Sequence, residues 1–472
     1  MVIQQLFVLL ALHIILPILT LFPQQTLSIG LVDQPQSFLP HKAKTDSEKI
    51  VSKMLFRKLF KYEDGQLKED LVDDWDLDES KKVYVIKLKD NIYWQDRVPI
   101  TSDDVLYTLT LYPQLREDVD IEKLSDKEIR IELPKPLAIL PTMLTFGLEP
   151  AHLSNKQSDL SPIGSTSFYV ANKVMERDKI QGVILQSFKP DKQYNRIAVR
   201  FYDKEDDLLT AYNLGEINAF LSNKEIDAEN VNIQSVHYLG RYYTLIFNTS
   251  KTKLESADLR TKLVKAVDVE SMLQKHYYAN SIMAQGPISH SEYTKPEFAV
   301  SLYDSTVKLT NEEIELLSPL EIVLPDTEEG RQIESTIRTS WKGLDLNLEF
   351  QYLKQDELLE AGKDGDFDVI FVGHEVTPDP DRYPFWHSTQ ADGGMNFSNL
   401  TDLRADKALE EGRKFYSFEE RFPHYNIFQD VMRTKSPAIF LYHPGQYFYI
   451  SKKLEFSMPK IIYYPSDIVQ NL

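Results

Sequence analysis

The chain has 472 residues, 42% of them hydrophobic and 11% aromatic, enough apolar material for two or three folded domains. Its net charge of −19 lacks the basic face that nucleic acid or an anionic membrane surface requires. The absence of cysteine excludes disulfides, thiol catalysis, cysteine zinc sites and lipid attachment through cysteine.

Residues 6–22 are almost wholly apolar, interrupted by His13 and Pro17, with no Lys or Arg before Lys42 and no A-x-A cleavage signal. At about seventeen residues the segment is short for a spanning helix, which needs roughly 20. Three readings stand: an uncleaved N-terminal anchor, a signal peptide with a poor cleavage site, and a buried core helix. The first two put the rest of the chain outside the cytoplasmic membrane.

Leu27–Val32 reads as a first strand and residues 35–44 as a loop. Ile50, Met54, Leu55 and Leu59 give residues 47–59 helical spacing, and Asp64-Gly65 marks a tight turn between short strands. Residues 82–88 alternate as a strand, Asp90-Asn91 turns it back into 92–94, and Thr101 with Asp104 forms a capping-box-like helix start. Residues 128–133 alternate cleanly, and Pro134 and Pro136 end them. Residues 161–169 are a loop, 197–201 a strand, and 205–214 a helix with Gly215 just past its end. A strand over 243–247 leads into Asn248. Leu259, Leu263, Ala266 and Val267 share a helix face, and Asp268 caps the next helix. Then come strands at 320–324, 345–350 and 367–372, a helix at 330–341, helices at 405–415 and 418–432, and closing strands at 437–442 and 447–450. The alternation of strand and helix argues α/β layers.

Several stretches share an order with a known family: residues 71–75 (LVDDW), 83–88 (VYVIKL), 91–94 (NIYW), 101–105 (TSDDV), 246–249 (IFNT) and 259–268 (LRTKLVKAVD). In order and spacing they resemble the family 5 extracellular solute-binding proteins, the peptide-capturing subunits of bacterial ABC importers. The resemblance covers about residues 27–455. It implies an α/β, periplasmic-binding-protein-like fold of type II, a Venus flytrap of two lobes plus an extra lobe, with mixed sheets. On this reading residues 1–25 are the anchor or signal segment and residues 26–45, 155–245 and 440–472 form a discontinuous lobe I. Residues 46–154 form the extra lobe II, and residues 246–439 form lobe III.

The implied function is capture of oligopeptides, or similar small solutes, by lobe closure for an ABC import permease. The expected protein is a monomer, extracytoplasmic in the periplasm or at the cell surface, and tethered by its N-terminal segment. The alternatives are a sensor or envelope interaction module not coupled to transport, or a carrier of a metal complex, haem or sugar. No catalytic signature appears among the motifs and no pair of carboxylates is marked by spacing, so no enzyme activity is expected. No cofactor and no metal are expected: His374 and His387 lie thirteen apart without helical pairing or a third ligand.

The ligand-binding candidates follow from the resemblance. Residues 371–386 leave the carboxyl end of an apolar strand, where α/β proteins bind ligands. The segment resembles the family's G-W-x-x-D run, in which the Asp pairs with the ligand's α-amino group. Here His374 stands at the Trp position and Glu375, Val376 and Thr377 where the Asp would fall. Glu375, Asp379, Asp381 and Trp386 complete the candidates on this loop. Asn248 and Tyr242 border the implied cleft. Ala43, Lys44 and Thr45 match the stretch that runs beside a bound peptide, with contacts resembling strand addition.

Overall fold

Apolar side chains, alternating along some predicted strands and continuous along others, build two large sheets. The computed structural model describes residues 26–472 apart from 113–118, 190–192, 276–277, 279, 296 and 298–301. The N-terminal apolar segment therefore lies outside the described residues. Among those described, no helix is long and apolar enough to cross a membrane.

The first sheet runs Val231–His237, Gly445–Ser451, Ala219–Ser222, Leu27–Val32, Arg196–Tyr202, Lys179–Ser187, Phe168–Glu176. It is mixed: Leu27–Val32 is parallel to both neighbours, and the other pairings are antiparallel. The second sheet runs Ile282–Met283, Ala438–His443, Arg241–Phe247, Val369–Glu375, Leu320–Pro325, Leu348–Leu353, and is also mixed. Its central strands are covered on both faces. Leu245, Phe247, Val369 and Phe371 face one core, while Ile246, Ile370 and Val372 face another. This two-sided burial explains why these strands read as continuous apolar runs. A four-stranded antiparallel sheet (Val72–Leu77, Val83–Leu88, Glu128–Glu132, Asp120–Ser125) shares its core with the first large sheet.

The chain crosses between the large sheets twice, and the crossings lie side by side. Tyr238, Leu239 and Gly240 carry it across, and Pro444 alone carries it back. The Tyr238 N–H donates to the Pro444 carbonyl at 2.9 Å, tying the two links together. Gly445 is required by close approach: a Cβ there would stand 2.0 Å from the Asn280 carbonyl oxygen and 2.6 Å from that of Val236.

Local chemistry sets the element ends. Asp64 and Gly65 both have positive φ (48° and 82°), the pattern of a type I′ hairpin turn between Phe60–Glu63 and Gln66–Glu69. The Thr101 N–H donates to Asp104 at 2.8 Å, completing the start of helix Ser102–Thr110. Asp268 accepts from the Ser271 N–H at 2.9 Å, and Gly215 sits at φ 75° beyond helix Glu205–Asn213. The first helix, Asp46–Leu55, is shorter than its spacing predicts. Phe56 turns extended, and Lys58 pairs with Gly147 in an isolated bridge. The strand expected from residue 345 begins at Leu348, because residues 342–344 form a 3₁₀ turn closed by Asp345 in the left-handed region.

Candidate functional site

Strand Val369–Glu375 ends at the junction of the two large sheets and runs into the loop that carries most of the candidate residues. Alternation along it decides their roles. His374 points into the interior with Val372 and is only 3% exposed. Its ring stacks on Tyr242 at 4.8 Å and lies 6.0 Å from Trp386, with Phe385 edge-on at 5.1 Å. Its Nε2 shares a 3.1 Å hydrogen bond with Thr244. Burial, reinforced by the nearby Arg382 charge, pushes its pKa down to about 3, so it is a neutral flat ring at neutral pH. His374, Tyr242 and Trp386 therefore form one packed cluster behind the loop.

Asp379 and Asp381 also turn inward. Asp379 makes a two-pronged ion pair with Arg421 at 2.7 and 2.8 Å, both side chains about 5% exposed or less. Burial opposes the Arg421 charge, but Asp379 outweighs it and holds the guanidinium pKa above its ordinary value. Asp381 lies 3.1 Å from Arg413, and burial raises its pKa against that cation's pull. Arg382 donates to the carbonyls of Pro287, Asp379 and Asp381. Asn248 is not beside this loop: Phe247 pairs with Val369, so Asn248 lies at the opposite end of the strand, where its amide donates to Gly365 at 3.0 Å and its carbonyl accepts from Ser250 and Asn399.

Glu375 faces the other way and is partly exposed. It takes Lys49 at 2.9 and 3.1 Å and Arg241 at 3.3 Å, while Arg241 also grips Asp46 at 3.0 and 3.2 Å. Lys49 and Asp46 belong to the first helix, so this network joins the first-sheet body to the second sheet. Further contacts close the same junction. The Tyr464 hydroxyl donates to the Val376 carbonyl at 2.7 Å, the Ala138 N–H donates to Arg413 at 2.8 Å, and Trp75 meets Tyr416 at 5.6 Å.

Ala43, Lys44 and Thr45 lie at the entry to that helix. The buried Glu48 carboxylate accepts from the N–H groups of Gln36, Ser37, Lys44 and Thr45 at 2.6–3.1 Å. Burial raises its pKa, but these four donors outweigh it and lower it overall. The Ala43 N–H is bonded to Leu39. All three main-chain donors are thus already committed, and strand addition through them, as expected from the sequence, is not open to a ligand.

A large cavity lies beside these residues, and none of the ten candidates lines it. It measures about 960 Å³. One side is the loop itself, through Thr377 and Pro378, between the candidates Glu375 and Asp379. The other walls come from residues 53–70, 91–97, 165–168 and the C-terminal segment with Tyr463 and Tyr464. Lys53, Arg57, Lys58 and Lys61 line it too. Sequence reasoning passed over these residues. The available signal was a basic cluster at the end of the first helix in an otherwise acidic chain, together with the Tyr463-Tyr464 pair near the C-terminus. Among the described residues, no group of three or more His, Asp or Glu is placed to hold a metal ion.

The family model of bacterial extracellular solute-binding proteins, family 5 Middle, matches residues 66–396, more than half of the chain. The chain belongs to this family. It is 21% identical over 497 residues to the oligopeptide-binding protein AppA of Bacillus subtilis (strain 168), covering 92% of this chain and 89% of that protein. The structure of AppA from Bacillus subtilis with a nonapeptide superposes with a TM-score of 0.73 at 18% identity, over 95% of this chain and 97% of that one. NikZ from Campylobacter jejuni, in complex with Ni(L-His), gives 0.71 at 22% identity over 93% and 97%. The structural likeness establishes the fold as a type II periplasmic binding protein with mixed sheets. Family membership places the chain among extracytoplasmic solute-binding proteins.

Proposed function

We propose that this family 5 member captures oligopeptides, or similar small solutes, in the 960 Å³ chamber by closure of its lobes and delivers them to an ABC permease. The observation that carries the reading is the chamber's position. It opens against Thr377 and Pro378, on the loop after strand Val369–Glu375, where the carboxyl ends of α/β strands meet ligands. The AppA relatives, named for oligopeptide binding and for a bound nonapeptide, support the ligand class.

In this reading the lobes follow the sheets, so the breaks expected at 245/246 and 439/440, which fall inside strands Arg241–Phe247 and Ala438–His443, move to the crossings. Lobe I holds the first sheet, lobe II the four-stranded sheet, and lobe III the second sheet, with closure about residues 238–240 and 444. Ligand contact belongs to the loop backbone near Glu375 and Thr377. His374, Tyr242, Trp386, Asp379 and Asp381 hold that loop from behind, and Ala43, Lys44 and Thr45 set the entrance. The protein works as a monomer tethered by its N-terminal segment, and closure desolvates the guest without covalent chemistry. Isothermal calorimetry with a mixed library of short peptides tests this. Saturable heat is expected; no heat with any peptide, alongside binding of a sugar or amine, would overturn the ligand class.

A further inference from the structure

The chamber wall has the opposite charge balance from the chain. The protein carries −19 overall, yet the chamber is lined by six cationic side chains, Lys53, Arg57, Lys58, Lys61, Arg97 and Lys189, against three aspartates. Each aspartate is already committed. Asp70 accepts from the Arg57 guanidinium at 2.8 and 2.9 Å and from the Lys58 N–H at 3.0 Å. Asp467 takes Lys53 at 2.5 Å and the N–H groups of Tyr463 and Tyr464 at 2.9 and 3.0 Å. Asp64 accepts from the Lys460 N–H at 3.0 Å. Lys61 is paired outside the lining, with Glu63 at 2.6 Å.

Three cations are left with no carboxylate within ion-pair distance among the described residues: Lys58, Arg97 and Lys189. Arg97 and Lys189 are exposed, so water solvates them. Lys58 differs, because it is only partly exposed and lines the chamber. Burial, with the Lys53 charge next in weight, lowers its pKa to about 8, against the opposing pull of Asp467 and Asp70. An ammonium partly withdrawn from water, with no carboxylate in ion-pair contact, gains when an anion comes to it.

We infer that the chamber selects ligands by negative charge: the Lys58 ammonium receives a ligand carboxylate, so the cargo is a peptide that presents a free carboxylate to this wall. The inference deepens the peptide-chamber reading and rests on it. An excess of positive charge in a low-dielectric cleft of an acidic protein also concentrates anionic solutes there.

The test is calorimetry on the full chain with matched short alanine peptides, tri- to pentapeptides. One set has free-acid C-termini, a second has amidated C-termini, and a third is amidated and carries a single Glu or Gln. Small dicarboxylates form a further arm. The proteins are wild type, Lys58→Met, which keeps the aliphatic stem, and Lys58→Arg, which keeps the charge; melting curves confirm that both fold. Wild type is expected to prefer acid over amide by roughly tenfold or more, the scale of one charge-assisted hydrogen bond. Lys58→Met should lose that preference and Lys58→Arg keep it. A preference restored by the Glu-bearing amide assigns the carboxylate to a side chain; one confined to free-acid peptides assigns it to the C-terminus. Both support the inference. Peptide binding with no acid preference, or a preference that survives in Lys58→Met, overturns the inference and leaves the peptide reading standing. Dicarboxylate binding that depends on Lys58, with no peptide binding, keeps the anion site and overturns the peptide reading. No heat in any arm overturns both.

Discussion

Asp379 separates a residue that shapes the loop from one that meets the ligand. Its carboxylate and the Arg421 guanidinium are both nearly inaccessible and joined by two bonds of 2.7 and 2.8 Å. Asp379→Ala strands a buried guanidinium, a change that costs about 3–5 kcal/mol when one partner of a buried pair is removed. Arg421 retains the Gly412 carbonyl and the Tyr425 hydroxyl, each at 3.0 Å, so a loss near the lower end, about 3 kcal/mol, is expected. Asp379→Asn keeps one acceptor but loses the charge, and should cost about 1–2 kcal/mol. Replacing both partners, Asp379→Leu with Arg421→Met, removes the stranded charge and should recover much of the loss. Urea unfolding followed by tryptophan fluorescence measures each, and calorimetry on the folded variants measures binding. If Asp379→Ala unfolds like wild type while peptide affinity collapses, the carboxylate faces the ligand and the bracing account fails.

Other expectations follow from the same geometry. His374 and His443 are buried, and desolvation lowers both pKa values from 6.5 to about 3. The unfolded chain therefore binds protons that the fold refuses, and stability should drop as pH falls from 6.5 toward 3. The slope is up to about 1.4 kcal/mol per pH unit for each ring; His374→Phe should remove about half of this part of the slope, and an unchanged slope would contradict it. Glu375→Gln weakens the Lys49 and Arg241 links. Because these groups are partly exposed, the stability cost should stay below about 1 kcal/mol, while small-angle scattering of the ligand-free protein shows a larger radius of gyration. An unchanged radius would show that these links do not hold closure. Gly445→Ala drives a Cβ against two backbone carbonyls at the return crossing and should cost about 1–3 kcal/mol, read as a lowered melting temperature. A wild-type melt would show that the crossing has slack.

Much of the fold was legible because its signals are local. Alternation marked Glu128–Glu132, and a cap or a left-handed residue marked the ends at Thr101, Asp268 and Gly215. The hairpin Phe168–Glu176 and Lys179–Ser187 escaped because most of its first strand is exposed and shows no apolar alternation. Its place in the sheet depends on partners far away in sequence, as does Ala219 beside Ile450. At the site, the family likeness pointed to the loop after strand Val369–Glu375 but not to the facing of its side chains. One residue of register decides whether His374 or Glu375 points inward, and only the pairing of Tyr242 with His374 settles that. The basic residues at the end of the first helix were passed over, because nothing local shows that the C-terminal segment returns to the same chamber.

The central claim concerns where the guest sits. A crystal structure of the full chain with a bound short peptide tests it most directly. Density in the chamber, against Thr377 on one wall and Lys58 on another, is the predicted result. A peptide bound elsewhere, with the chamber unfilled, would contradict it.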